Sequence, residues 1–209
     1  MMRKEYFVLI LAGALGLAAC GGSVPMRYYT LVPAADAYVP TATQSTISPS
    51  AAPFQFELLP VGVPAQVDQP QLVVRQGGQG VAVLDSERWI APLGDEVRGA
   101  LSADLVRQLH TQDISGLPAG SKPVLRIKVD LRRFDSVPGA YALLDAAWSV
   151  RALKGGEPLS CTSRLQESVG QGYTALVQGH QRALDGLAAQ IASAAQALAA
   201  GQAASCPAG

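Results

Sequence analysis

Side chains able to do covalent or metal chemistry are few in this chain, and their spacing limits what they can do. Among its 209 residues are three cysteines, at 20, 161 and 206, and two histidines, at 110 and 180. Neither histidine has a cysteine or carboxylate at metal-ligand spacing. No Gly-x-Ser-x-Gly elbow, phosphate-binding P-loop or dinucleotide fingerprint is present. His110 is placed to close a helix, where a cation suits the dipole. His180 falls on an apolar stripe and reads as a core histidine. Asp95 and Glu96 are neighbouring acids at a helix start, where the dipole favours them, and do not read as a catalytic pair. Gly77-Gly78-Gln79-Gly80 is glycine-rich enough to cradle a phosphate, but no helix follows directly, so it reads as a turn. These patterns point away from catalysis, and no metal or dissociable cofactor is expected.

Cys20 is different. Arg3 and Lys4 form a short positive segment, and Tyr6 to Leu17 is an apolar run of about twelve residues, the length of a secretory signal and too short to span a bilayer. It ends in Leu17-Ala18-Ala19-Cys20, which resembles a lipobox. The small Ala18 and Ala19 fit a narrow peptidase pocket, and the Cys20 thiol is the nucleophile that accepts diacylglycerol. Residues 1–19 are therefore expected to be a lipoprotein signal peptide, leaving a covalent lipid on Cys20. One acyl chain, at ~0.8 kcal/mol per buried methylene, holds a protein only marginally; two or more hold it stably. Gly21 follows the cysteine where an aspartate would favour retention in the inner membrane. The expected location is thus the outer membrane, lipid-anchored and facing the periplasm. Residues 20–27 are a lipidated tether reaching at most ~25 Å.

The remainder suffices for one domain with a real core. The 16 basic and 16 acidic residues balance, and removing Arg3, Lys4 and Glu5 scarcely changes that. With no basic run, no nucleic-acid partner is expected. Cys161 and Cys206 are candidates for a disulfide in an oxidising compartment. Closing a loop of roughly 45 residues would contribute about 4 kcal/mol on the chain-entropy model. The alternative is two free thiols, one in a loose tail.

Residues 28–200 read as a single domain, with a flexible loop at 33–53 and a tail at 201–209. Arg27 to Val32, Phe54 to Leu58, Leu72 to Arg75 and Val81 to Asp85 have the aromatic and β-branched content of strands. Asp85 or Ser86 is a candidate cap for a helix over Arg88 to His110, in which Leu93, Val97, Leu101, Leu105 and Leu109 recur every four residues. Val124 to Phe134 sets Leu125, Ile127, Val129 and Leu131 against Arg126, Lys128, Asp130 and Arg132, with a period of two. Tyr141 to Leu153 and Leu159 to Val169 complete an antiparallel meander. A final helix, Tyr173 to about Ala200, stripes Val177, His180, Leu184, Leu187 and Ile191 along one face. The expected architecture is an α/β fold: one mostly antiparallel sheet with two helices packed on one face. Trp148 is expected in the core. Trp89, Arg88 and Arg75 are candidates for a partner interface; Trp89, at a helix start, reads first as core and otherwise as plugging a sheet edge or lining a contact surface.

Taken in order, these segments resemble a known family. Arg27-Tyr28-Tyr29-Thr30-Leu31, then Val61-Gly62-Val63-Pro64, Asp68 to Arg75, Arg88-Trp89-Ile90-Ala91-Pro92-Leu93, and Gly172 to Val177 are similar to the PqiC (YmbA) lipoproteins and related ABC-type transport auxiliary lipoproteins. This chain departs from the family pattern at Gln66-Val67, in place of an aromatic pair, and at Gln69, in place of an arginine. The resemblance covers essentially everything after the signal segment. It implies a fold similar to the N-terminal domain of TolB. It also implies a non-catalytic role: docking or scaffolding a lipid-conducting path at the outer membrane beside an MCE-domain protein of a PqiB-like system, in support of membrane integrity. A homo-oligomer is compatible with such a system. The alternatives are a lipid-binding carrier and an auxiliary lipoprotein of another ABC-type transporter.

Overall fold

The computed structural model describes residues 25–33 and 52–207. The expected signal peptide, Cys20 with most of its tether, and positions 34–51 of the expected loop lie outside the described residues. The elements run β1 (Arg27–Tyr29), β2 (Gln55–Leu58), β3 (Gln71–Arg75), β4 (Val81–Trp89), α1 (Leu93–Leu109), β5 (Val124–Val137), β6 (Tyr141–Ala152), β7 (Leu159–Ser168) and α2 (Tyr173–Ala199). The class is α/β with two helices, as the pattern of apolar residues required.

The strands form two sheets instead of one. The larger has the order β2-β5-β6-β7 and the smaller β1-β4-β3. In the larger sheet β2 runs parallel to β5, while β5, β6 and β7 are antiparallel. In the smaller, β3 and β4 are an antiparallel hairpin and β1 runs parallel to β4. β2 pairs with the first part of β5 and β6 runs along its other edge, while the hairpin pairs only with β1. It crosses the end of β5 through side chains, among them an ion pair of Arg75 Nε with Asp135 Oδ1 at 3.0 Å.

The period-two pattern of β5 does what the sequence demands. Leu125, Ile127, Val129 and Leu131 are buried. The register then shifts between Leu131 and Arg133. One residue inserted at Arg132 returns Phe134 and Ser136 to the core side, where both are buried. Trp148 is also buried, its indole N–H donating to Ser163 Oγ at 2.8 Å.

In α1 the five residues spaced by four are all buried. The helix begins later than Arg88, because β4 continues to Trp89. Asp85 and Ser86 lie inside that strand, so neither caps the helix. Pro92 does, and its carbonyl accepts from the Asp95 and Glu96 N–H groups. The strand outlasts its sequence pattern because Pro70 O, across the hairpin, and β1 hold its last residues, with Trp89 N–H donating to Pro70 O at 2.8 Å. At the far end of α1, His110 adopts a left-handed conformation and terminates the helix.

Helix α2 lies against β6 and β7 and beside α1. Its small residues set the spacing. A Cβ at Gly179 would overlap Val169 and approach Ala142 to 3.0 Å, and one at Gly186 would come within 2.7 Å of Leu165. Ala183, Ala188 and Ala195 are fully buried beside them. Gly172 opens the helix at φ 87°, a conformation that favours glycine.

Beyond α2, Cys206 is joined to Cys161 of β7 by a disulfide, with the Cα atoms 5.4 Å apart. The bond ties the tail to the edge strand of the larger sheet and closes a 45-residue loop. Reduction, or replacement of both cysteines by serine, is expected to lower unfolding free energy by about 2–4 kcal/mol. Urea denaturation with and without reductant measures this; an unchanged midpoint would show that the bridge contributes nothing.

Candidate docking surfaces on the small sheet

Strand β1 is short, yet it is firmly held by two buried acids. The Tyr29 hydroxyl donates to Glu87 Oε2 at 2.6 Å, and Arg27 Nη1 lies 3.4 Å from Glu87 Oε1. Burial, followed by the neighbouring Glu87 carboxylate, raises the Tyr29 pKa. One turn into α1, Glu96 Oε2 accepts from the Thr30 hydroxyl at 2.7 Å and the Leu31 N–H at 2.8 Å. Asp95 and Glu96 were both expected to serve only the helix dipole. Glu96 instead is buried and clamps the chain leaving β1. Its signal in the sequence was weak, because a first-turn acid is commonplace until its partner is known.

Three of the segments that carry the family resemblance converge here. Tyr28, Asp68, Gln69, Pro70 and residues 88–92 line one cleft of about 370 Å³. Tyr28 is 57% exposed and Ile90 61% exposed at its mouth, and the Tyr28 hydroxyl donates to Met26 Sδ at 3.2 Å. Arg88 is half-buried and reaches the Asp85 carbonyl, 3.4 Å away. Trp89 is buried, contrary to an interface role for its whole ring: it packs edge-on against Phe134, with ring centres 6.1 Å apart. Only the cleft side of Trp89 is available.

Arg75 lies elsewhere. It borders a second groove, of about 280 Å³, between the β3–β4 hairpin and the bulged end of β5. Val73, Val81 and Val83 form its apolar floor, and Val81 and Val83 are 58% and 48% exposed. Arg132 and Arg133 stand on the opposite wall. Asp135 joins Arg75 to Arg133 in a chain of ion pairs, which fixes two of these guanidinium groups. Isolated exposed valines are ordinary, but two of them beside positioned arginines make a candidate contact surface. The alternation of Val81 and Val83 with Ala82 and Leu84 showed a strand. It did not show which face would be covered.

Beneath both surfaces, Phe134 stacks on the His180 ring with 3.8 Å between centres. His180 Nε2 lies 2.8 Å from Ser136 Oγ, while buried Nδ1 has no partner. A neutral ring donating from Nε2 leaves only an acceptor unpaired, the less costly arrangement. Burial lowers its pKa to about 3. Among the described residues no cluster of His, Cys, Asp and Glu is arranged to hold a metal ion.

The family of ABC-type transport auxiliary lipoprotein components matches residues 29–192. The chain belongs to that family. It is thus an auxiliary lipoprotein of ABC-type, Pqi-like transport, associated with a membrane. No curated protein sequence matches it. Two solved structures share the fold. One, described only as an uncharacterized protein, is 19% identical, with 81% of this chain and 97% of that chain covered and a TM-score of 0.62. The other, a Xanthomonas campestris protein of a domain family of unknown function, is 16% identical over 66% of this chain and 81% of its own, with a TM-score of 0.51.

The histidine gives a pH dependence of known sign. Its folded pKa of about 3 lies below the ordinary imidazole value of 6.5, so the unfolded state takes up the proton first. Its neutral burial is therefore fully tolerated above about pH 6.5, and stability falls as pH drops from there towards 3, by up to ~1.4 kcal/mol per unit. Comparing urea midpoints of the protein and a His180→Gln variant between pH 7 and 4 should show a shallower slope in the variant.

Proposed function

We propose that this auxiliary lipoprotein docks and steadies the end of an MCE-type lipid-conducting path at the outer membrane, anchored there through Cys20. The observation that carries the reading is the contrast between a closed interior and an open, arginine-edged apolar groove. Gly179 and Gly186 bring α2 too close to the sheet to leave a lipid-sized space between them. Val81 and Val83 of β4, by contrast, remain uncovered. A protein built this way acts through its outside. The partner is an MCE-domain protein of a PqiB-like system, which would lay an apolar segment with acidic flanks along the valines. The role is scaffolding, without chemistry on the lipid.

A carrier is the competing reading, and the tight seat of α2 counts against it. A carrier would co-purify with roughly stoichiometric phospholipid, which the docking reading does not require. The direct test is capture of the MCE-domain partner from detergent-solubilised envelopes by the mature, lipidated protein. Val83→Asp and Arg132→Glu are each expected to weaken capture by about tenfold or more, the scale of a contact worth above 1 kcal/mol at an interface centre. The urea midpoint should stay unchanged, since both side chains are exposed. Capture that is lost in neither variant, or never seen with the folded protein, would refute the groove or the partner respectively.

A further inference from the structure

We infer that Met26, Tyr28 and Ile90 form a membrane-contact patch, so that the domain rests on the phospholipid leaflet with the β1 end of its small sheet down. The inference rests on lipidation of Cys20 and adds an orientation to the anchor. Pro25, the first described residue, is five residues beyond Cys20, a span that cannot exceed ~17 Å even when fully extended. The chain then enters β1, which Glu87 and Glu96 hold in place. The patch is thus brought to the lipid surface by a short covalent link to a fixed strand.

What lies at that place is suited to a lipid interface. Met26 is 46% exposed and lies against Tyr28, and Ile90 sits beside Tyr28 at the mouth of the same cleft. Tyrosine places an apolar ring and a polar tip at headgroup depth, while Met and Ile supply side chains that lose nothing on entering the acyl boundary. The local charges nearly cancel. Arg27 is paired with Glu87, and Asp68 lines the cleft with Arg88. Binding by this patch therefore needs no anionic lipid and should be almost insensitive to salt, unlike a polybasic contact. Strand β4 extends from Trp89 back to Val81, about 25 Å at roughly 3.3 Å per residue. Because β1 pairs with Glu87–Trp89, the patch lies at that end of β4 and Val81 and Val83 lie toward the other.

Beyond the cleavage site Met26 is the sole methionine, so its oxidation can be read as a single addition of one oxygen to the intact mass. The lipidated mature protein is reconstituted in phosphatidylethanolamine–phosphatidylglycerol vesicles and treated with peroxide. A non-lipidated Cys20→Ala mature chain, with the same vesicles present, is the reference. Met26 should oxidise several-fold more slowly in the anchored protein, equally at low and high salt. The double variant Tyr28→Glu, Ile90→Glu should float with vesicles yet oxidise at the reference rate. Anchored protein that floats but oxidises at the reference rate overturns the patch while leaving the anchor intact. Protein that does not float overturns the anchor, and the orientation with it.

Discussion

Three aromatic rings from three different parts of the chain hold the layers of this protein together. Trp89 ends β4 in the small sheet, Phe134 sits on β5 in the large sheet, and His180 lies on α2. Phe134 stacks on the imidazole and takes the indole edge-on. The contact depends on one inserted residue in β5, since without the register shift at Arg132 Phe134 and Ser136 would point to the opposite side. The imidazole must remain neutral, because a charge there would be buried beneath a ring with a single hydroxyl partner. The orientation of the small sheet, and with it of both candidate surfaces, follows from this junction.

The two surfaces are consequences of what the small sheet does not bury. Its core-side residues, Leu72, Val74 and Trp89, are covered by the rest of the molecule. At one end the row of valines stays open beside a fixed arginine–aspartate–arginine chain. At the other, the strand that continues from the tether exposes Tyr28 and Met26. One hairpin thereby carries both the proposed lipid-facing patch and the proposed partner-facing groove, toward opposite ends of β4. β1 falls on the patch-bearing half of the hairpin because its register pairs it with Glu87–Trp89, the end of β4 away from the β3–β4 turn.

The disulfide and the glycines of α2 act on the other half of the molecule. Cys206 secures the chain beyond α2 to β7, at an edge where unpaired backbone groups would otherwise invite another strand. Gly179 and Gly186 let the helix sit close against β6 and β7. The large sheet and the helices thus supply most of the core, and the small sheet carries both surfaces proposed for contact.

Local pattern alone determined much of this. The four-residue recurrence of leucines in α1, the alternation in β5 and the stripe of α2 each require burial of one face, and a face is buried wherever the partner lies. The order of short motifs likewise pointed to the family, without any three-dimensional information. Tertiary structure decided everything that depends on which partner an element meets. Asp85 and Ser86 look like caps until β1 and Pro70 prolong the strand through them. Glu96 is one of two first-turn acids until Thr30 and Leu31 arrive from 66 and 65 residues away. Trp89 and Arg75, candidates for one interface by residue type, separate because the small sheet buries the indole and lays the arginine along a different groove. Periodicity records that a side chain needs company; only the assembled fold supplies its identity.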